Sequence, residues 1–465
     1  MTYANLEERL RAASSPIEML RNAQAGPNVY PGVPPEYSNW RDEQLAWQNT
    51  CVLFNQTFHM AELEVRGPDA VKLLSHLGIN TPNYAPGRAK QFVPCTPEGY
   101  VIGDVIQFAR AQDTLDLVGR APVLNWVTYH AQTGDYDVEV ELDQRSALRS
   151  DGRRKHYRFQ IQGPNAMQVI EKALGHKPED LKFFRVSVER IAGKDVFALR
   201  HGMAGQAGWE VFGPFEDYEA VHEAFVNAGE EFGMKLVGGR AYSSNAVESG
   251  WIPSPLPAIY TGDSLKAYRE WLPAEGYEGN ASVGGSFVSP NVEDYYFTPW
   301  DLTYGHLVKF DHDFIGREAL ERMAQEGGHR TKVTLALEDE DMARVIGTQM
   351  QKTDRAKYVD WPSGVYAMHP FDRVSRDGET VGVSTWISYT ANEGKWLTLA
   401  VLDTEHAEPG TEVTFHWGEE DGGTSKPTVE RHVQTEMRAI VSPVPYVETV
   451  RKAYAPGGWR AAHAS

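Results

Sequence analysis

The sequence predicts an α+β protein with antiparallel sheets in its first two-thirds and a closed or sandwiched β-barrel domain at its C-terminal end. Three observations predict it. From Ala61 to Leu142 the elements run strand, helix, strand, strand, helix, strand, the order of a small α+β unit. A strand followed by Gly-Pro and then a helix occurs twice, at Gly67-Pro68 and Gly163-Pro164, as a weak internal repeat. From Thr331 onward the texture is strand-rich: KVTLAL, TVGVSTW, WLTLAVL, TEVTFHW and VQTEMRAIV, separated by turn residues.

Asn5 to Gln24 has helical spacing, with Leu6, Leu10, Ile17, Met19 and Leu20 on one face and a second start at Ser14-Ser15-Pro16. Gly26 to Pro35 is a Pro/Gly-rich loop suited to connection or ligand contact. Ala61 to Val65 alternates as a strand, and Gly67-Pro68-Asp69 starts a helix through Leu77. Tyr100–Phe108 and Thr114–Val118 read as paired strands, Val123–Ala131 as a helix and Tyr136–Leu142 as a strand. Arg158–Gln162 is a strand, Val188–Leu199 a hairpin, Trp209–Phe212 a strand and Phe215–Phe232 a helix. Leu236–Gly250 is a further element, followed by the stiff segment WIPSPLP. Glu275–Asp301 is loop-rich and a candidate lid, and Asp313–Gln325 is a helix. The changes of texture divide the chain into a discontinuous α+β domain (1–55 with 151–265), an inserted α+β domain (56–150), a loop-rich connection (266–328) and a β-barrel domain (329–465).

Composition narrows the function. The 465 residues carry 64 acidic and 45 basic side chains, a net charge of −19 that repels nucleic acid and anionic membranes. An anionic ligand then needs a local Arg or Lys. The 12 Trp, 21 Tyr and 18 Phe suit a flat, π-rich ligand or simply aromatic cores. The two cysteines, Cys51 and Cys95, form neither a disulfide framework nor a metal knuckle. The N-terminus lacks a basic stretch followed by an apolar core, and no apolar run approaches the ~20 residues of a membrane helix, so a cytoplasmic location is expected. Asp311-His312-Asp313 is poor ligand geometry, because neighbours on an extended chain point to opposite faces; no metal is expected. No P-loop or nicotinamide fingerprint is present.

Six segments together resemble the glycine-cleavage T protein (aminomethyltransferase) family. They are Gly99–Ile106, Phe159–Pro164, Gly208–Val211, Gly239–Ala241 with Val247–Gly250, Asp313–Leu320 and Gly382–Thr385. Within it, Glu18–Asn22, Ser38–Arg41, Val118–Pro122, His201–Gly205, Glu248–Asp263 and Leu265–Ala274 resemble tetrahydrofolate-dependent O-demethylases of syringate and vanillate. The resemblance implies three domains around a folate site, with the discontinuous α+β domain binding folate. It implies tetrahydrofolate as methyl acceptor and a small aromatic acid as substrate.

Methyl transfer from an aryl ether releases a phenolate, so the leaving oxygen needs a donor and both reactants need alignment. The resemblance makes Tyr242 that donor, with a phenol matched to the departing phenolate; the ordinary alternative is a core tyrosine on a backbone carbonyl. Arg120 would anchor the carboxylate with its planar fork, or else be a surface arginine at a strand end. His59 and Gln56 match substrate-contacting positions, His59 touching the ring oxygens or being a hydrogen-bonded core histidine. Tyr30 matches another pocket residue, and Phe58 stands where a vanillate-type relative has His. For folate, Glu210 would accept from the pterin N–H fork, Gln162 would donate and accept, and Trp251 and Phe184 would stack. Asp104 matches one member of an acidic pair used in aminomethyl transfer, but Gly103 occupies the other position. That departure weighs against the alternative of amine demethylation or aminomethyl transfer. A non-catalytic folate-binding assembly factor would need a KGCYxGQE-type signature, which neither cysteine provides.

Overall fold

A computed structural model describes residues 3–455 and 458, apart from 150, 152, 204 and 254. Ala204 and Ser254, within the matching stretches above, lie outside the described residues. Strands Met234–Leu236, Cys51–Asn55, His156–Gln162, Gly208–Pro214, Lys194–Arg200 and Val186–Ile191 lie in that order in one sheet. Only the first pair is parallel. The period-2 alternation of strand His156–Gln162 divides this sheet into two unlike faces. Tyr157, Phe159 and Ile161 join Trp209 and Val211 under helices Ala166–Leu174 and Tyr218–Gly229, against Val169, Ile170, Val221 and Phe225. Each such side chain contributes about 1.5–3 kcal/mol by burial. Arg158, Gln160 and Gln162 point the other way with Glu210, and all four are buried. A buried polar face requires polar partners, which marks it for a ligand or an ionic network.

A second sheet orders Ala89–Phe92, Val105–Ala111, Thr114–Gly119, Ala61–Arg66 and Glu139–Asp143, all antiparallel. Leu63, Val65, Leu115 and Leu117 cover helices Ala70–Leu77 and Ala121–Thr133 through Leu73, Leu74, Leu124 and Val127. The opposite face, with Ala89, Phe108 and Val118, meets Leu199 and Phe212 of the six-stranded sheet. Strands Thr331–Leu337, Lys395–Leu402, Glu379–Thr390, Asp372–Arg376, Glu412–Trp417 and Thr435–Ser442 close into a barrel, the last pairing with the first. The barrel docks on helix Gly239–Ser249. Trp386 Nε1 donates to Ser243 O at 3.0 Å, and buried Glu248 accepts from Trp47 Nε1 at 2.7 Å and Asn392 Nδ2 at 3.0 Å.

The α+β class, the antiparallel sheets and the C-terminal barrel agree with the sequence reading. So does the second helical start expected at Ser14-Ser15-Pro16: helices Leu6–Ala12 and Pro16–Asn22 are separate, Ser15 Oγ accepting from Glu18 N at 3.2 Å and Pro16 opening the second. Several details differ. The strand expected from Tyr100 begins at Val105; before it, Val101 N donates to Phe297 O at 2.8 Å. The helix expected from Asp313 begins at Arg317. Segment 275–301 is no lid: Val292, Tyr295 and Phe297 are buried in the main core. His312 bonds Asp311 at 2.8 Å and Gly78 O at 2.9 Å, as part of a turn.

Candidate active site

The first N–H groups of a helix have no partner within it. In helix Gly239–Ser249 the 26–38 loop supplies them: Gly239 N donates to Pro34 O at 2.9 Å and Arg240 N to Pro35 O at 3.1 Å. Buried Glu43 adds its carboxylate, accepting from Gly238 N at 2.8 Å and from Tyr37 N and Ser38 N at 2.7 and 2.9 Å. Negative charge at a helix N-terminus is favourable. Gly238 permits this approach, since a Cβ there would lie 2.4 Å from Pro35 O.

The loop thereby brings Tyr30 onto Tyr242 in the first turn of the helix, with ring centroids 4.5 Å apart. His59 completes a ring trio, 5.0 Å from Tyr30 and 4.9 Å from Tyr242. Phe54 supports Tyr242 edge-to-face at 5.2 Å and stacks on Trp47 at 5.9 Å. Gln56 Nε2 lies 3.3 Å from both Tyr242 Oη and Met203 Sδ. Gln162 Oε1 accepts from Met203 N at 2.7 Å. Three buried polar atoms here, Gln56 Oε1, His59 Nδ1 and Gln162 Nε2, have no partner among the described residues. Such atoms are costly unless a ligand or water meets them.

Arg120 stands at the N-terminus of helix Ala121–Thr133, with no hydrogen bond or ion pair among the described residues. Its charge reaches the whole trio. Burial pushes Tyr30 up to about 12 and Tyr242 well above the phenol range, and Arg120 offsets part of each rise. Burial, then Arg120, Arg154 and Arg145, push His59 down to about 3, so its imidazole is neutral at ordinary pH. Tyr242 is therefore protonated across the physiological range.

The other predicted residues form two separate groups. Glu210 pairs with Arg158 at 2.5 Å and lies 3.6 Å from His201 Nδ1. Burial alone would raise Glu210, but Arg158 and His201 outweigh it and keep the carboxylate ionised. Arg158 also reaches Glu62 at 3.3 Å and lies over the rings of Phe212 and Phe108. Phe184 stacks on His201 at 5.5 Å, beside this network. Trp251, 39% exposed, donates to Asp104 Oδ2 at 3.2 Å, and Gln91 Nε2 donates to the same oxygen at 2.9 Å. Burial raises Asp104, with Gln91, Trp251 and Lys332 opposing. A Cβ at Gly103 would meet Val123 Cγ2 at 3.0 Å, so a second acid at that position would be crowded. Phe58 is turned out of the trio: its ring packs on Phe215 and Tyr218 and lies under Gly32. His59 thus enters the site while Phe58 braces the loop.

Met203, Glu43 and Arg158 were not singled out from the sequence. Their roles arise from partners far along the chain. The one sequence trace is Met203's place in the matching stretch His201–Gly205. Among the described residues no helix is long and apolar enough to cross a membrane, and no cluster of three or more His, Cys, Asp or Glu is placed to hold a metal.

A six-stranded sheet with one buried polar face, packed against a second antiparallel sheet and joined to a closed barrel, is the fold shared with the aminomethyltransferases. The GCVT N-terminal domain family matches residues 19–254, and this chain belongs to that family. It is an enzyme of the methyltransferase type. It is 58% identical over 98% of its length to a syringate O-demethylase of Sphingobium sp. strain SYK-6, of which 98% is covered. A sesamin methylene transferase of Sinomonas sp. strain No.22 is 31% identical, with 90% of each chain covered. The crystal structure of the glycine cleavage system aminomethyltransferase T from Bartonella henselae shares the fold, with a TM-score of 0.61 at 18% identity over 93% of this chain and 97% of that one.

Proposed function

We propose that this enzyme removes the methyl group from methoxylated aromatic acids, syringate foremost, with tetrahydrofolate as acceptor. The observation that carries the reading is the Arg120 guanidinium, without a hydrogen bond or ion pair among the described residues, whose charge acts on the protonated Tyr242. The 58% identity to a syringate O-demethylase supports it. Arg120 holds the substrate carboxylate bidentately and so fixes the ring. Tyr30, His59 and Gln56 surround that ring; neutral His59 offers a hydrogen bond without adding charge. Tetrahydrofolate held by Glu210 and Gln162 would supply the amine nitrogen that accepts the methyl group, and the proton this amine releases would replace the one Tyr242 gives up, so that one methyl is exchanged for one proton overall. Tyr242 gives its hydroxyl proton to the departing aryl oxygen, and the charge left on Tyr242 faces Gln56 and Arg120.

The residues present fit a reduced pterin. Ionised Glu210 keeps lone pairs for N–H groups, and Gln162 Nε2 is a buried donor without a partner among the described residues. Phe184 and Trp251 offer stacking faces. Purified protein is mixed with tetrahydrofolate and syringate or vanillate, and the acids are separated by chromatography. A demethylated acid that disappears when folate is omitted is the expected result. No demethylation of either acid, with turnover of a methylated amine instead, would refute the reading.

A further inference from the structure

We infer that Met203 is a positioning residue that sets which way round the Gln56 amide lies, and through it where the Tyr242 proton points. This rests on the demethylase reading. Met203 lies in the connection between strands Lys194–Arg200 and Gly208–Pro214. Its sulfur is 3.3 Å from Gln56 Nε2 and 4.0 Å from Tyr242 Oη, and its backbone N–H is taken by Gln162 Oε1 at 2.7 Å. A thioether is an acceptor only. Facing a carboxamide, it matches the NH2 end and repels the carbonyl end.

With the NH2 end toward Met203 and Tyr242, the phenol oxygen accepts from Gln56. The phenol's own proton is then held only by the long contact to the Met203 sulfur, at 4.0 Å, and passes to a better acceptor when one arrives. The reversed amide would place Oε1 against Tyr242, and the phenol would donate to it instead of to the substrate. Only the first arrangement serves an acid: the C–O electron pair stays on the aryl oxygen, the Tyr242 O–H bond breaks, and a new O–H bond forms on the aryl oxygen. The same residue orders Gln162, since its N–H occupies Oε1 and leaves Nε2 as the donor. Met203 thus gives the site a defined polarity, with the Gln56 carbonyl as acceptor on one side and the Gln162 amide as donor on the other. Gln56 Oε1 and Gln162 Nε2, buried and without partners among the described residues, are the ends this arrangement leaves for ligands.

Met203→Leu keeps the volume and the backbone N–H but removes the sulfur. Wild-type turnover of syringate with tetrahydrofolate is measured first; its absence would refute the demethylase reading and not the role of Met203. In Met203→Leu, kcat falls about tenfold or more, as expected for a weakened proton donor, while KM for syringate stays within about twofold. The double variant Met203→Leu/Gln56→Leu is no slower than Gln56→Leu, because the amide that Met203 orients is gone. As a readout besides activity, protein labelled with 15N-glutamine shows the Gln56 side-chain amide signal, identified by its loss in Gln56→Leu, shifted in Met203→Leu. Unchanged kcat, losses that multiply in the double variant, or an unshifted amide signal would overturn the inference. Met203→Ile, also without sulfur, takes the same measurements should Met203→Leu fold poorly.

Discussion

Tyr242 owes its role to its surroundings. Burial holds its phenol protonated, Phe54 and Tyr30 fix its ring, and Gln56 lies at its oxygen. Tyr242→Phe keeps the ring and removes the proton, so kcat is expected to fall about 10²–10⁴-fold, with folate affinity by calorimetry unchanged. Normal turnover would remove the acid role. Arg120→Lys replaces a planar fork by a point charge. KM for syringate should rise about tenfold or more, from one lost charge-assisted bond, with no rise for the decarboxylated phenol; an equal effect on both would end the anchoring role. His59 gives a pH signature. Its folded imidazole, at about 3, refuses the proton that the unfolded chain accepts below roughly 6.5. Stability is therefore full above that pH and is lost as pH falls toward 3. In His59→Gln, urea midpoints between pH 6.5 and 4 should fall less steeply; parallel curves would mean that the folded histidine is charged. The individual residues of the trio were legible because their family pattern is local in sequence. Met203 was not, since it acts through Gln56 and Gln162 far from it in sequence, and Glu43 was not, since it ties the neighbouring Tyr37 and Ser38 to the distant Gly238.

At the scale of elements, the 26–38 loop and helix Gly239–Ser249 behave as one unit. Gly238→Ala would push a Cβ against Pro35 O and lift the loop from the helix. The expected cost is about 1–3 kcal/mol in denaturant unfolding, with a raised KM because Tyr30 leaves Tyr242. A variant as stable as wild type would show that the loop yields freely. Elements with strong periodicity were readable from the sequence, as in TEVTFHW or WLTLAVL. Strand Asp372–Arg376 was not, because DRVSR is short and polar and becomes a strand only through its barrel neighbours. Ser15 and Pro16 carried the break between the first two helices in plain view, as side-chain cap and first helical residue.

At the scale of the molecule, the two sheets meet through Phe108, Val118, Leu199 and Phe212, with Arg158 tying Glu210 on one sheet to Glu62 on the other. Arg158→Met leaves two buried carboxylates without the guanidinium they share, with His156 still at Glu62 and His201 still near Glu210. A loss of about 3–5 kcal/mol is expected, read as a lower urea midpoint, together with weaker folate binding as Glu210 gains a proton. Unchanged stability would show that the carboxylates find water. Strand Arg158–Gln162 was legible as a strand, but not that its polar face would be buried or which sheet would cover it, because that pairing is written in no local pattern. The Pro34 and Pro35 carbonyls have a practical corollary. They clamp the far end of the loop to the helix, so the stretch from Asn28 to Val33 forms an exchangeable cartridge. Libraries confined to it that keep Tyr30 should reshape the range of rings admitted without displacing the hydroxyl proposed as the proton donor, whereas grafts cut beyond Pro35 would unseat both.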